Sequence, residues 1–225
     1  MKNLINTFIL MFFVSTIFAQ KGKFYIGINA CMQNTWIMNS EDYDRGGELD
    51  FTTTFYPAFG LNLGYNLSDK MGLQSGVIYS FQGQNYITAG NTHADYSTDL
   101  TYIKIPLVVT YLGNVQKNVS FLGQVGVQLS LNQKATSSRN QAFGIYGGTD
   151  LVDVKNKYSP YTVDIILGSG INVNLSKSLD LQALIRIDYS LTDIEDIDVK
   201  PSSRPQSSSL TLGLPQINLL YTFGR

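Results

Sequence analysis

Two stretches of the sequence hold side chains that could do chemistry. His93, Asp95 and Ser97 alternate along a polar stretch and are the residue types of a nucleophile with its base and orienter. Nothing in the sequence holds three neighbours of one loop in that geometry, so His93 reads as a loop histidine. Asp193, Glu195, Asp196 and Asp198 offer hard oxygen ligands of the kind calcium takes. They lack the glycine turn and ligand register of a calcium loop and read as a solvated surface loop. The single cysteine, Cys31, excludes an internal disulfide and a Cys-rich zinc site. No phosphate loop or metal cluster appears. The sequence therefore assigns no catalytic residue, no metal and no cofactor, and the expectation is a protein that is not an enzyme.

Composition narrows the class further. Charged residues make up 15% of the 225, well below the roughly 25% of an average soluble domain. With 14 Tyr and 12 Phe, the chain is too aromatic and too weakly charged for disorder. Sixteen basic against 17 acidic side chains leave no basic face for nucleic acid.

Residues 1–19 read as a cleaved secretory signal. Lys2 is the positive n-region, an apolar run extends from about Phe8 to Phe18, and Ala19-Gln20 is the cleavage point. That run is shorter than the ~20 residues of a spanning helix. Cys31 lies too deep in the chain to be acylated after a signal. The expectation is an exported chain with one domain over 20–225.

The elements that follow alternate with a period of two, the signature of strands with two unlike faces. In the stretch from Phe55 to Leu67, Phe55, Phe59, Leu61, Leu63, Tyr65 and Leu67 share one face, while Ala58, Gly60, Asn62, Gly64 and Asn66 share the other. Eight such runs occur, near 23–33, 54–67, 71–84, 101–112, 119–131, 160–175, 179–191 and 209–223. Each has about 11 to 16 residues, enough for a tilted strand, which crosses a bilayer in about 9–11. The phase slips near Pro215, which predicts a bulge. Connections alternate between short turns, such as Ser68-Asp69-Lys70 and Ser176-Lys177-Ser178, and long polar loops. That asymmetry belongs to an outer-membrane barrel with short periplasmic turns and long extracellular loops. The longest loop, 132–159, contains Gly147-Gly148 and has the makings of a hairpin.

The fold class expected is all-β: an eight-stranded antiparallel up-and-down transmembrane barrel, both termini in the periplasm. An open sheet edge in lipid would leave backbone groups unpaired, so closure is required. Aromatics of the apolar face should gather at the headgroup levels. Phe24, Tyr65, Tyr111, Phe121, Tyr221 and Phe223 fall near the short-turn end; Phe55, Tyr79, Phe81, Tyr161 and Tyr189 fall near the long-loop end. Eight strands enclose a lumen that side chains fill. Lys104, Asp164, Arg186 and Asp188 point inward by parity, and the expectation is that they pair there, because buried charges are costly alone. Trp36, Tyr43, Phe143 and Tyr146 in the long-loop regions could form a contact surface or pack the barrel mouth.

The run Tyr102-Ile103-Lys104-Ile105-Pro106-Leu107 resembles a Y-[LI]-x-[IV]-P-L pattern of the PorT-like outer-membrane β-barrel family of Bacteroidetes-type bacteria. The "FAQ" signal ending, the Gln74-Ser75-Gly76 strand and the aromatic last strand are similar too. The resemblance implies the same barrel fold, and for some members a part in protein secretion across the outer membrane; it brings no catalytic residues. Pro106 cannot donate to a ladder, which predicts a bulge or a missing partner hydrogen bond. The expected role is a structural or surface-interaction barrel acting through its outer loops. Its partners would be outer-membrane lipid and surface or secretion-machinery proteins. Accessory secretion, a narrow channel and a lipid-modifying enzyme are the alternatives, in that order.

Overall fold

The structure is a computed structural model that describes residues 23–40, 49–88, 96–114, 117–140 and 149–224. The expected signal at 1–19 and the Gly147-Gly148 turn lie outside the described residues. The described strands are β1 (Lys23–Met38), β2 (Leu49–Thr52), β3 (Phe55–Asn66), β4 (Met71–Thr88), β5 (Tyr96–Leu112), β6 (Val119–Asn140), β7 (Thr149–Asp153), β8 (Tyr161–Asn174), β9 (Leu179–Ser190) and β10 (Ser208–Thr222). Eight of them form a closed antiparallel ring in the order β1-β3-β4-β5-β6-β8-β9-β10, and β10 pairs back onto β1 from Tyr25↔Thr222 to Met38↔Ser208. Closure leaves the ring without a free sheet edge, which an apolar surround demands.

The wall is inside out relative to a soluble protein. Phe24, Ile28, Leu61, Leu63, Val125 and Leu167 are half exposed or more on the outside, while Asn62, Gln128, Asn218 and Thr222 are almost wholly buried within. Alternation produces both faces at once: a wide apolar outer surface and a polar lumen. Inward glycines let strands and interior side chains approach closely. A Cβ on Gly170 would stand 2.1 Å from the Ala183 carbonyl oxygen, and one on Gly64 would sit 2.0 Å from the Tyr25 ring.

The two prolines act through the ladder. Pro106 faces Gln128 of β6 in register, but the β4–β5 ladder has a gap between Ser75↔Leu107 and Ile78↔Lys104. The missing partner falls on the side where the proline nitrogen has no hydrogen, and Ser75 Oγ donates to the Pro106 carbonyl at 2.8 Å. Leu214 and Pro215, joined by a cis peptide, bulge out of register against both β1 and β9. The short turns after β3 and β8 share one device. Ser68 Oγ accepts from Met71 N at 3.0 Å, and Ser176 Oγ accepts from Leu179 N at 3.1 Å.

At the long-loop end the strands run on where the sequence reading placed loops. β5 starts at Tyr96 and β6 ends at Asn140. The physical reason is that these extensions are largely polar, with Ser97, Thr98, Asp99, Asn132, Lys134 and Ser137 among their residues, so hydrophobic alternation vanishes while the backbone ladder continues. β2 adds to β4 and β7 adds to β6, so a five-stranded sheet β2-β4-β5-β6-β7 stands beyond the ring. The hairpin expected within 132–159 is β6 with β7, paired from Thr136↔Asp153 to Asn140↔Thr149.

Candidate functional site

The lumen holds a charged cluster, toward the long-connection end of β8 and β9. Lys104 sits on β5, Asp164 on β8, and Arg186 and Asp188 on β9, each at an inward position and each nearly buried, at 3%, 4%, 6% and 6% exposure. Asp188 is the centre. It accepts from Lys104 Nζ at 3.0 Å and from Arg186 Nε at 2.7 Å. The second Arg186 nitrogen, Nη2, reaches Asp188 Oδ2 at 3.3 Å and also donates to Gln128 Oε1.

Among the described residues Asp164 meets no cation directly. It accepts from Ser130 Oγ at 2.5 Å, Gln128 Nε2 at 2.9 Å and Thr162 Oγ1 at 3.0 Å. Gln128 joins the two halves, since its Nε2 lies 3.3 Å from Asp188 Oδ2 as well. Two cations and two carboxylates thus share one enclosed network, and burial makes each partner necessary to the next. Gln128 faces Asp164 in the β6–β8 register, and its position as the bridge depends on that register, which no single strand reveals.

Beside the cluster lies a cavity of about 20 Å³ lined by Asn29, Cys31, Gln33, Lys104, Arg186 and Asp188 among others. That is room for about one water, not for a conducting path. The Leu214-Pro215 bulge lies at this height, because Gly213 is opposite Arg186 and Gln33.

Above the charges, the lumen closes with an apolar plug. Ile37, Leu100, Tyr102, Ala135, Val154 and Ile194 pack together, with Tyr158 against them. Two connections supply the lid. Val154 N bonds the Ala135 carbonyl at 3.0 Å, Ser159 N bonds Ile194 O at 2.9 Å, and Asp196 N bonds Lys157 O at 2.9 Å.

The acidic stretch divides: Asp193 and Glu195 belong to this lid, while Asp198 is exposed, as the sequence suggested for the whole stretch. Arg204 grips Glu195 with two bonds of 2.7 and 2.9 Å, and Lys200 pairs with Asp193. Asn39 Nδ2 ties the lid to the end of β1 through Pro205 O and Ser207 Oγ, at 3.0 and 2.8 Å. Among the described residues no group of acidic, histidine or cysteine side chains is arranged to hold a metal ion.

Other sequence candidates separate. His93 and Asp95 lie outside the described residues, as do Tyr43, Phe143 and Tyr146. Ser97 is part of β5, where its hydroxyl shares a hydrogen bond with Ser138. Trp36 sits on β1 opposite Leu210.

Of the short-turn aromatics, Phe24, Tyr111, Phe121, Tyr221 and Phe223 are exposed on the outer wall. Tyr65 is half-buried against Phe24, with ring centroids 4.7 Å apart. Of the long-loop aromatics, Phe55, Tyr79 and Tyr161 are exposed, and Phe81 and Tyr189 are half-buried. Phe59, which the sequence reading did not group with them, packs between Tyr79 and Phe81 at 5.9 and 6.4 Å.

No curated protein matches this sequence. Solved structures similar to it include Neisserial surface protein A, at 16% identity over 91% of this chain and 100% of that one, with a TM-score of 0.48. OprG of Pseudomonas aeruginosa is 14% identical over 91% and 97%, with a TM-score of 0.47. Ail, the attachment invasion locus protein of Yersinia pestis, is 14% identical over 91% and 100%, with a TM-score of 0.46. These likenesses concern fold alone. The sequence pattern of a family described as "Outer membrane protein beta-barrel domain" matches residues 18–196, so the chain belongs to that family of outer-membrane barrels.

Proposed function

We propose that this is a non-enzymatic outer-membrane barrel, exported by a cleaved signal at residues 1–19, that carries a rigid extracellular platform for contact with partners at the cell surface. One observation carries the reading: the five-stranded sheet β2-β4-β5-β6-β7, raised above the ring. From Asn132 to Asn140, β6 projects roughly 25 Å along its own direction at ~3.3 Å per residue. A barrel needs no such extension to cross the bilayer. The apolar plug and the Arg204–Glu195 and Lys200–Asp193 pairs anchor the base of the platform. Aromatics at the two ends of the wall stand at the headgroup levels and set its depth in the membrane.

The test has two parts. In a Cys31→Ser background, Val152→Cys on β7 should react with a membrane-impermeant maleimide on intact cells; protection until the cells are broken would overturn the reading. Replacing 85–98 and 136–153 by short turns should abolish surface contact while leaving a barrel whose gel mobility shifts on heating. If surface proteins fail to be exported without the chain, yet are exported with this shortened barrel, the secretion role implied by the PorT-like run at Tyr102–Leu107 takes its place.

A further inference from the structure

We propose that four lysines spaced around the periplasmic rim bind the anionic phosphate headgroups of the periplasmic leaflet. Lys23 begins β1, Lys70 lies in the β3–β4 turn, Lys117 in the β5–β6 turn and Lys177 in the β8–β9 turn. The ring order β1-β3-β4-β5-β6-β8-β9-β10 distributes them nearly evenly, with one cation for about every two strands. Three of the four are exposed and Lys23 is half-buried. None makes an ion pair among the described residues, and the described carboxylate at this level is Asp69 alone outside the lumen.

The opposite end carries both signs: Lys200 and Arg204 are consumed by Asp193 and Glu195, Lys134, Lys155 and Lys157 are exposed, and the first long connection is acidic in sequence, with Glu41, Asp42, Asp44, Glu48 and Asp50 against Arg45. The rim cations also stand at the right depth. Directly beside them the apolar wall ends in Phe24, Met71, Tyr111, Val119, Leu175 and Tyr221, all exposed. Lysine stems lie along such apolar surface while their ammonium groups reach the headgroups. The serine-held turns fix the backbone beneath Lys70 and Lys177, so only the side chains have to be ordered on binding. A point charge near an anionic lipid surface gains about fivefold in local occupancy at low salt, and the gain falls once the Debye length shrinks below ~10 Å.

The experiment uses the full mature barrel in nanodiscs of phosphatidylcholine with a minor share of phosphatidylglycerol. Lipids that remain bound after mild detergent extraction are quantified by mass spectrometry. Phosphatidylglycerol should be enriched several-fold over its bulk share, and the enrichment should fall in high salt. It should disappear in the variant Lys23→Gln, Lys70→Gln, Lys117→Gln, Lys177→Gln, whose heat-shifted gel band shows the barrel intact. The control Lys155→Gln, Lys157→Gln, at the other end, should retain it. No enrichment, enrichment that survives in the quadruple variant, or loss in the control would each overturn the proposal. If the quadruple variant does not fold, the four single Lys→Gln variants replace it, each expected to lose part of the enrichment.

Discussion

Replacing Asp188 by Asn tests whether the lumen cluster is held by charge. The side chain keeps its shape and loses its negative charge. Lys104 and Arg186, at 3% and 6% exposure, then face each other across a site where one carboxylate had taken bonds of 3.0 and 2.7 Å from them. Breaking one buried pair costs about 3–5 kcal/mol, and here two cations lose the same partner, so the upper end applies. Asp164→Asn is the comparison. Asp164 is met by Ser130, Thr162 and Gln128, all neutral donors, so the loss is about 1–2 kcal/mol. Adding Lys104→Met to Asp188→Asn removes one stranded cation and should recover about 2 kcal/mol. Guanidinium unfolding in phospholipid vesicles, followed by the heat-dependent gel shift, measures all three. Equal costs for the two Asn variants, or a Lys104→Met that worsens Asp188→Asn, would refute the reasoning.

Gly170→Ala places a methyl 2.1 Å from the Ala183 carbonyl, and refolding yield into vesicles should drop with a destabilisation of about 1–3 kcal/mol or more. Ile194→Ala should loosen the plug at a cost of about 2–5 kcal/mol, seen as new protease cleavage within 191–207 while the heat-shifted band persists. Planar bilayers containing the wild-type protein should show no conductance steps, because the described lumen is filled at the charge cluster and again at the plug; regular steps would revive the channel reading.

The ring was legible because its physics is local. Strict alternation in the Phe55–Leu67 run sorts one face for lipid and one for the lumen, and short turns against long connections set which end is which. Inward parity likewise singled out Lys104, Asp164, Arg186 and Asp188. The partnerships were less accessible. Asp188 rather than Asp164 holds the cations: Arg186 is its same-face neighbour two residues away on β9 and Lys104 reaches it from β5, while the β6–β8 register places Gln128 beside Asp164.

The strand extensions and the lid were hidden for a different reason. Where both faces are polar, the sequence of a strand and of a loop look alike, so Tyr96–Leu100 and Asn132–Asn140 carried no signal. The pairing of Asp193 and Glu195 was hidden because their cations, Lys200 and Arg204, turn back on them only once the connection folds over Ile194.

By itself, the sequence determined the strands, their two faces and hence a barrel in lipid, since a period of two and a preference for apolar or polar surroundings are properties of each residue and its neighbours. The tertiary structure alone decided that Lys104 meets Asp188, where the lumen closes and that a sheet rises above it. Those depend on register between strands far apart in the chain, and register is fixed by ring closure, which no segment possesses alone.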